Sequence, residues 1–150
     1  MADALVEMDR LGQKTGAGYY RYDPETRRRE PDPEVDALIE QVAQKWEVER
    51  REIEDGEIIQ RLILPLINEG AAILREGMAA RPSDIDIVYL NGYGFPAFKG
   101  GPMYHADEVG IGRVLAALEK YREQTGDDCW APDPLLVELA EKGAKLSSLN

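Results

Sequence analysis

The chain has 150 residues, with 18 Lys and Arg against 29 Asp and Glu and a formal net charge of −11. A chain of this length can bury about two-thirds of the surface that its unfolded form exposes, so it can fold without a disulfide or metal. The single cysteine, Cys129, excludes an intrachain disulfide framework and a zinc site with several cysteines. The acidic balance argues against nucleic acid and anionic membranes as partners.

The N-terminus shows neither a secretory signal nor an Arg-rich transit peptide. The first residues lack the basic start and apolar centre of a secretory signal. No apolar run approaches the roughly 20 residues that span a bilayer. A cytosolic or organelle-matrix interior is the default for such a pattern, and we expect a cytoplasmic location.

Residues 11 to 33 are rich in glycine and proline, which predicts turns. Within them, Tyr19 to Tyr22 is an extended-looking piece that is too short to build a sheet. From Asp32 the apolar spacing becomes helical, with Asp32 as the N-cap and Pro33 in the first helical position. The pattern predicts an amphipathic helix that runs to about Glu49.

A second helix is predicted from Asp55, as its cap, to Glu76, and Gly77 ends it. Apolar residues occupy so much of its circumference that we expect a central, buried helix. Pro65 lies in its interior and removes one backbone hydrogen bond, so we expect a kink there.

The rest of the chain also shows helical signals. Ser83, with Asp86 three residues later, is a capping-box-like start of a short helix that runs to Leu90. Three further helical segments follow, at Pro102 to Val109, Ile111 to Tyr121 and Asp133 to Gly143. No convincing strand alternation follows the tyrosine cluster, so the fold class is mainly α.

Few residues could carry chemistry. His105 is the only histidine, and Glu108 beside it on the helix does not complete a zinc site, so a structural or surface histidine is favoured over a catalytic one. Cys129 lies beside Asp128, whose charge would raise the pKa of the thiol and reduce its reactivity. The stretch Gly16 to Gly18 lacks the strand and helix context of a phosphate-binding loop, which favours turn glycines.

The stretch from Asn91 to Pro102 alternates glycines with aromatic residues. Such a sequence lets the backbone bend tightly while the rings pack on neighbouring helices. It predicts a packed loop and a candidate docking surface.

Two regions resemble the helical C-terminal part of 3-hydroxyacyl-CoA dehydrogenases, as found in multifunctional fatty acid β-oxidation enzymes. Leu11 to Tyr22 looks like the segment that closes the first helical domain, and Glu57 to Gly110 is similar to the helical domain that follows. The second match rests on motifs in the family's order, namely Leu64-Pro65-Leu66-Ile67-Asn68-Glu69, Ser83-Asp84-Ile85-Asp86, Gly94-Phe95-Pro96 and Gly100-Gly101-Pro102. The resemblance implies a helical, 6-phosphogluconate dehydrogenase C-terminal-like fold. It assigns residues 1–31 to the tail of the preceding helical domain and a linker, and residues 32–150 to a second helical domain.

The resemblance implies a part of an NAD-dependent oxidoreductase that converts 3-hydroxyacyl-CoA to 3-ketoacyl-CoA, with an enoyl-CoA hydratase domain upstream in multifunctional members. In this family the NAD-binding domain and the catalytic His-Glu pair precede the helical region, and neither is present in this chain. The catalytic copy of the helical domain has an Asn before an Arg on its central helix, whereas here Gln60 precedes Arg61. The resemblance therefore implies a non-catalytic second copy, inactive alone, with no catalytic, cofactor-binding or metal-binding residue.

The same resemblance implies the partners. In the intact protein they are the sister helical domain and the Rossmann domain. The isolated chain is expected to form a homodimer through the Tyr93 to Tyr104 loop and the long helix, with Phe95 and Phe98 as aromatic anchors. The alternative is an independent helical module that kept the fold and serves in assembly or acyl-CoA binding.

Overall fold

The computed structural model describes residues 1–150 and divides them into two compact units, Met1–Glu52 and Ile53–Asn150. The boundary expected after residue 31 lies inside the first of these units. No helix in either unit combines the length and the apolar character that a membrane crossing requires.

The N-terminal unit contains two helices and one small hairpin, namely α1 (Ala2–Glu7), β1 (Arg21–Tyr22), β2 (Arg29–Glu30) and α2 (Pro33–Lys45). The hairpin is antiparallel and has two residue pairs, Arg21 with Glu30 and Tyr22 with Arg29. The tyrosine cluster thus does enter a sheet, although a minimal one. Asp32 caps α2 as predicted, since its carboxylate accepts a hydrogen bond from the Glu34 backbone N–H at 3.1 Å. However, α2 ends at Lys45 and not near Glu49.

Arg10 explains why α2 belongs to the N-terminal unit. Its guanidinium donates to the carboxylates of Asp32 at 2.5 Å and Glu34 at 2.8 Å, and to the Gly18 carbonyl oxygen at 3.0 Å. These three contacts join the glycine-rich turn to the start of α2. Arg10, Asp32 and Glu34 therefore lie within one compact unit, Met1–Glu52.

The C-terminal unit is helical throughout. Its five α-helices are α3 (Asp55–Arg75), α4 (Pro82–Gly92), α5 (Pro102–Val109), α6 (Ile111–Thr125) and α7 (Pro134–Lys142). Short 3₁₀ turns occupy Ala97–Lys99, Asp128–Trp130 and Leu146–Leu149. The last three helices confirm the predicted segments, and α7 begins as predicted with Asp133 as its N-cap. The core is formed by apolar residues from all five helices and includes Ile67, Ala71, Ile85, Met103, Leu118 and Leu136.

The long helix α3 is buried along only part of its length. Its fully buried residues are Leu64, Ile67, Gly70 and Ala71, whereas Leu62 is 64% exposed. Ile58 and Ile59 near its start are exposed as well. The expectation of a wholly buried helix is therefore wrong for its N-terminal half, where no neighbouring element covers the apolar residues. The helix continues through Pro65 to Arg75.

Buried aspartates cap elements that lie far from them in sequence. Asp86 does not cap its own helix as predicted, because Asp84 pairs with Arg81 at the start of α4. Instead, the Asp86 carboxylate accepts hydrogen bonds from the backbone N–H groups of Met103 at 2.7 Å and Tyr104 at 3.1 Å, in the first turn of α5. A carboxylate at a helix N-terminus satisfies N–H groups that have no partner within the helix.

Asp107 acts in the same way, whereas Asp133 caps its own helix, α7. Asp107 accepts from the backbone N–H groups of Leu146 at 2.7 Å and Ser147 at 2.9 Å, which fixes the last 3₁₀ turn. Asp133 accepts from the Leu135 N–H at 2.9 Å and also pairs with the Arg75 guanidinium at 3.0 Å. Because these carboxylates are all buried, the packing of the C-terminal unit depends on them as well as on its apolar core.

Candidate functional site

The candidate site is a pocket lined by residues of α3, α5 and α6 in the C-terminal unit. Its volume is about 410 Å³, and most of its lining is apolar. Gln60 contributes one of its few polar groups from α3, with His105 from α5 and Arg113 from α6. The sequence pattern singled out Gln60 and His105, and the structure places both at this pocket.

Gln60 is held by a neighbouring helix. Its Oε1 accepts a hydrogen bond from the Tyr121 hydroxyl at 2.9 Å, which joins α3 to α6. The adjacent Arg61 pairs with Glu57 at 2.9 Å and stacks on the Tyr121 ring, with its guanidinium carbon 4.9 Å from the ring centroid. The Gln-Arg pair thus holds Tyr121 in the packing between the two helices.

His105 is half-buried and stands without an orienting carboxylate. Burial lowers the pKa of its imidazole, the nearby Lys99 ammonium lowers that pKa further, and Glu108 partly opposes both effects. A histidine general base usually has its second ring nitrogen hydrogen-bonded to a carboxylate or carbonyl. No such bond joins His105 to another residue of this chain.

Two other candidates also have structural surroundings. Desolvation raises the pKa of the exposed Cys129 thiol, and the carboxylates of Asp127 and Asp128 raise it further. The sequence identified Asp128, but Asp127 makes the closer contact, since its carboxylate accepts the Cys129 backbone N–H at 2.9 Å. No group of three or more His, Cys, Asp or Glu side chains is placed to hold a metal ion.

The glycine-rich turn of the N-terminal unit is closed by its own backbone. The Gly12 N–H donates to the Ala17 carbonyl oxygen at 2.8 Å, and Gly12 has a φ of +88° that favours glycine. The only sheet of the chain is the two-residue hairpin. A dinucleotide site requires a strand, a glycine-rich turn and a helix in succession. The residues present therefore do not fit NAD.

A basic depression adjoins the pocket and was missed from the sequence. It has a volume of about 480 Å³ and shares His105, Val109 and Arg113 with the pocket, while Lys99 and Glu108 also line it. Lys99 and Arg113 lie on different elements, and no periodicity connects them. They line the same depression because Lys99 lies just before α5 and Arg113 lies in α6, just after α5.

The aromatic loop is divided between buried and exposed rings. Phe95 is buried and packs edge-on against Tyr89, with 6.4 Å between the ring centroids. Phe98, in contrast, is 85% exposed, and Tyr93 is exposed as well. Of the two expected docking anchors, Phe95 already packs within the loop and only Phe98 is exposed.

The fold and the pocket define a C-terminal domain built only of helices, with a largely apolar pocket between three of them. The family described as "3-hydroxyacyl-CoA dehydrogenase, C-terminal domain" matches residues 56–147, and the chain belongs to this family. The resemblance found in the sequence is thereby confirmed, as is the mainly α fold class.

Curated relatives and one solved structure agree with this assignment. The chain is 45% identical over 143 residues to the peroxisomal bifunctional enzyme of Homo sapiens, covering 94% of this chain and 20% of the relative. It is 43% identical over 144 residues to the enzyme of the same name from Danio rerio, covering 95% of this chain and 20% of the relative. The crystal structure of the dehydrogenase part of a multifunctional enzyme from C. elegans matches with a TM-score of 0.66 and 26% identity, over 91% of this chain and 31% of that chain. The chain thus spans about one fifth of the length of these curated relatives.

The comparisons overturn the expected cytoplasmic location. The vertebrate relatives are named peroxisomal, and a relative from Brassica napus with 33% identity is named glyoxysomal. The expectation failed because it rested on the absence of a secretory or transit signal. Peroxisomal import depends on a short address that a receptor reads, and neither composition nor charge reveals it.

Proposed function

We propose that this chain is the non-catalytic helical scaffold of a longer 3-hydroxyacyl-CoA dehydrogenase in fatty acid β-oxidation. In this proposal the intact protein oxidises 3-hydroxyacyl-CoA to 3-ketoacyl-CoA with NAD. The observation that carries it is the hydrogen bond between Gln60 and Tyr121. A Gln that is committed to helix packing stands where the catalytic copy of the domain has an Asn.

NAD and the catalytic base come from other parts of the intact protein in this proposal. It is supported by the chain's two strands, neither of which leads through a glycine-rich turn into a helix. The lack of a hydrogen bond that would orient the His105 imidazole supports it as well, since hydride transfer to a nicotinamide needs a positioned base beside the substrate hydroxyl. We also propose that residues 1–31 are the tail of a preceding helical domain and a linker, and that residues 32–150 form the second helical domain.

The proposed partner of the C-terminal unit is a sister helical domain. Ile58, Ile59 and Leu62 form an exposed apolar strip along the first half of α3. Such a strip is typical of an interface, because a helical layer is stable when its apolar face is covered by another layer. When the chain is alone, a second copy can provide an equivalent surface through two-fold symmetry.

The test is an assay of the purified chain with acetoacetyl-CoA and NADH, together with calorimetric titration of NAD. We expect neither turnover nor binding. We also expect Gln60→Asn to remain inert, because the missing groups lie outside the chain. Steady oxidation of NADH by the wild-type chain, or activity that arises in Gln60→Asn, would contradict the scaffold role.

A further inference from the structure

The pocket at Gln60 has the size and lining of a small-molecule site. Its volume of about 410 Å³ falls within the roughly 300–1,000 Å³ that is usual for such sites. Ile59, Ile63 and Ile67 of α3 line it together with Val109 of α5 and Ala117 of α6. An apolar group fills such a space favourably, whereas a polar group would lose its hydrogen bonds to water there.

The adjoining depression supplies positive charge beside this apolar space. Lys99 and Arg113 are its two cations, and Glu108 is its only acid. Arg113 has no ion-pair partner within the chain, and it lines both the pocket and the depression. A net positive mouth is notable in a chain with a net charge of −11. The ligand that matches both zones is therefore an apolar chain with an anion close to one end.

We propose that this pocket binds a medium-chain fatty acid as its free carboxylate. The hydrocarbon chain lies among the isoleucines of α3, and the carboxylate lies between Lys99 and Arg113. A guanidinium suits this head group, because it can donate two parallel hydrogen bonds to a carboxylate. The inference concerns the isolated chain as a monomer, because Ile59 lines this pocket and also belongs to the strip that is proposed to face a sister domain.

The arrangement favours a free acid over an acyl-CoA. In an acyl-CoA the first negative charges are on phosphates, and the long pantetheine arm separates them from the acyl chain. Here the cationic and apolar zones share Arg113, so the anion must lie within a few bonds of the chain. A neutral alcohol of the same length would leave both cations without a counter-charge.

Calorimetric titration of the 150-residue chain with decanoate tests the proposal. We expect decanoate to bind, and to bind about 15-fold more tightly than octanoate, since each buried methylene contributes about fourfold in affinity. Decanol should bind at least about tenfold more weakly than decanoate, since it has no charge to pair with the two cations. Decanoyl-CoA should also bind more weakly than decanoate.

Two pairs of variants separate the head-group zone from the chain zone. Arg113→Gln should weaken decanoate binding about tenfold or more, whereas Arg122→Gln on the same helix should not, since Arg122 pairs with Asp128 elsewhere at 3.1 Å. Ala117→Trp should fill the pocket and abolish binding, whereas Ala116→Trp, at an exposed position beside it, should bind normally. Circular dichroism checks that each variant is folded.

Several results would overturn the proposal. These are no decanoate binding at millimolar concentration, equal binding of decanol and decanoate, or tighter binding of decanoyl-CoA. Normal decanoate binding by folded Ala117→Trp would also overturn it. If Ala117→Trp proves unfolded, the Arg113→Gln and Arg122→Gln pair and the octanoate comparison decide the matter alone.

Discussion

The Tyr121 hydroxyl donates a hydrogen bond to Gln60 Oε1 at 2.9 Å, and this contact links the two longest helices of the C-terminal unit across 61 residues of sequence. The Tyr121 ring is buried and also packs against Trp130, with 5.0 Å between the ring centroids. Gln60 therefore links two helices although its side chain is exposed, and the helical periodicity of the sequence does not reveal this contact.

Removing the Tyr121 hydroxyl should show how much its hydrogen bond to Gln60 contributes to the stability of the fold. We expect Tyr121→Phe to lower the free energy of unfolding by about 0.5–1.5 kcal/mol, because the aromatic packing stays while the hydrogen bond is lost. Urea denaturation measures the change. Tyr104→Phe is the matched control, since Tyr104 is exposed and its hydroxyl makes no bond within the chain. Equal effects at the two positions would show that the bond contributes nothing.

The two faces of α3 should differ sharply in their sensitivity to truncation. Ile67 is 1% exposed, so Ile67→Ala should lower the free energy of unfolding by about 2–5 kcal/mol through lost burial and a residual cavity. Ile59 is on the exposed half, and Ile59→Ala should change it by less than about 0.5 kcal/mol. Denaturant melts of both variants test this. A large loss at Ile59 would place that half of the helix in a covered interface.

Gly101 is required by the cap between α4 and α5. Its φ is +104°, and a Cβ there would lie 2.3 Å from Asp86 Oδ1. We expect Gly101→Ala to destabilise the protein by about 1–3 kcal/mol through backbone strain alone, and by more through displacement of the Asp86 carboxylate. Gly112→Ala on α6 meets no atom within 4 Å. This control should be neutral or slightly stabilising, because alanine favours the helix. A lower melting temperature for Gly112→Ala than for Gly101→Ala would contradict the requirement for glycine beside the Asp86 carboxylate.

The Arg10–Asp32 pair should be visible in an acid titration. The Arg10 guanidinium, which hydrogen-bonds to the carboxylate, holds the pKa of Asp32 below its ordinary value. Because the folded-state pKa is depressed, the pair stabilises the N-terminal unit above the unfolded pKa of about 3.9, and this stabilisation is lost as the pH falls through the folded pKa.

Carboxyl-carbon NMR of Asp32 gives the measurement. We expect its midpoint below about 3.9 in the wild-type chain and closer to that value in Arg10→Met. Arg27→Met is the control, since Arg27 is exposed and makes no bond to Asp32. An unchanged midpoint in Arg10→Met would assign the shift to the other group that favours the carboxylate, the Glu34 backbone N–H, or to Arg21.

The isolated chain should self-associate through the exposed strip of α3 and the aromatic loop. We expect a dimer that weakens at low salt, because the net charge of −11 opposes association and the Debye length grows from about 10 Å at 0.1 M to about 30 Å at 0.01 M. Leu62→Ser should weaken the dimer, whereas Met78→Ser, an exposed position outside the strip, should not. Sedimentation equilibrium across protein and salt concentration decides this. A strict monomer at high micromolar concentration would contradict the expectation.

Local patterns determined much of this protein. The helical periodicity and the Asp-Pro starts at Asp32 and Asp133 fixed where α2 and α7 begin, because caps depend on residues within one turn of each other. The family was also recognised from the sequence, because its glycine- and proline-containing motifs occur in a fixed order along the chain. The lack of strand alternation after the tyrosine cluster also predicted the mainly α fold.

Only the tertiary structure shows which side chains contact residues that lie far from them in sequence. Asp86 was predicted to cap its own helix, and instead it caps α5, because packing places its carboxylate against two N–H groups 17 and 18 residues away. The apolar strip of α3 gave no sign of being exposed, since periodicity records which residues are apolar and not which neighbour covers them. Lys99, His105 and Arg113 meet at one depression for the same reason. Their proximity is a product of the chain's path between helices, and no local pattern encodes it.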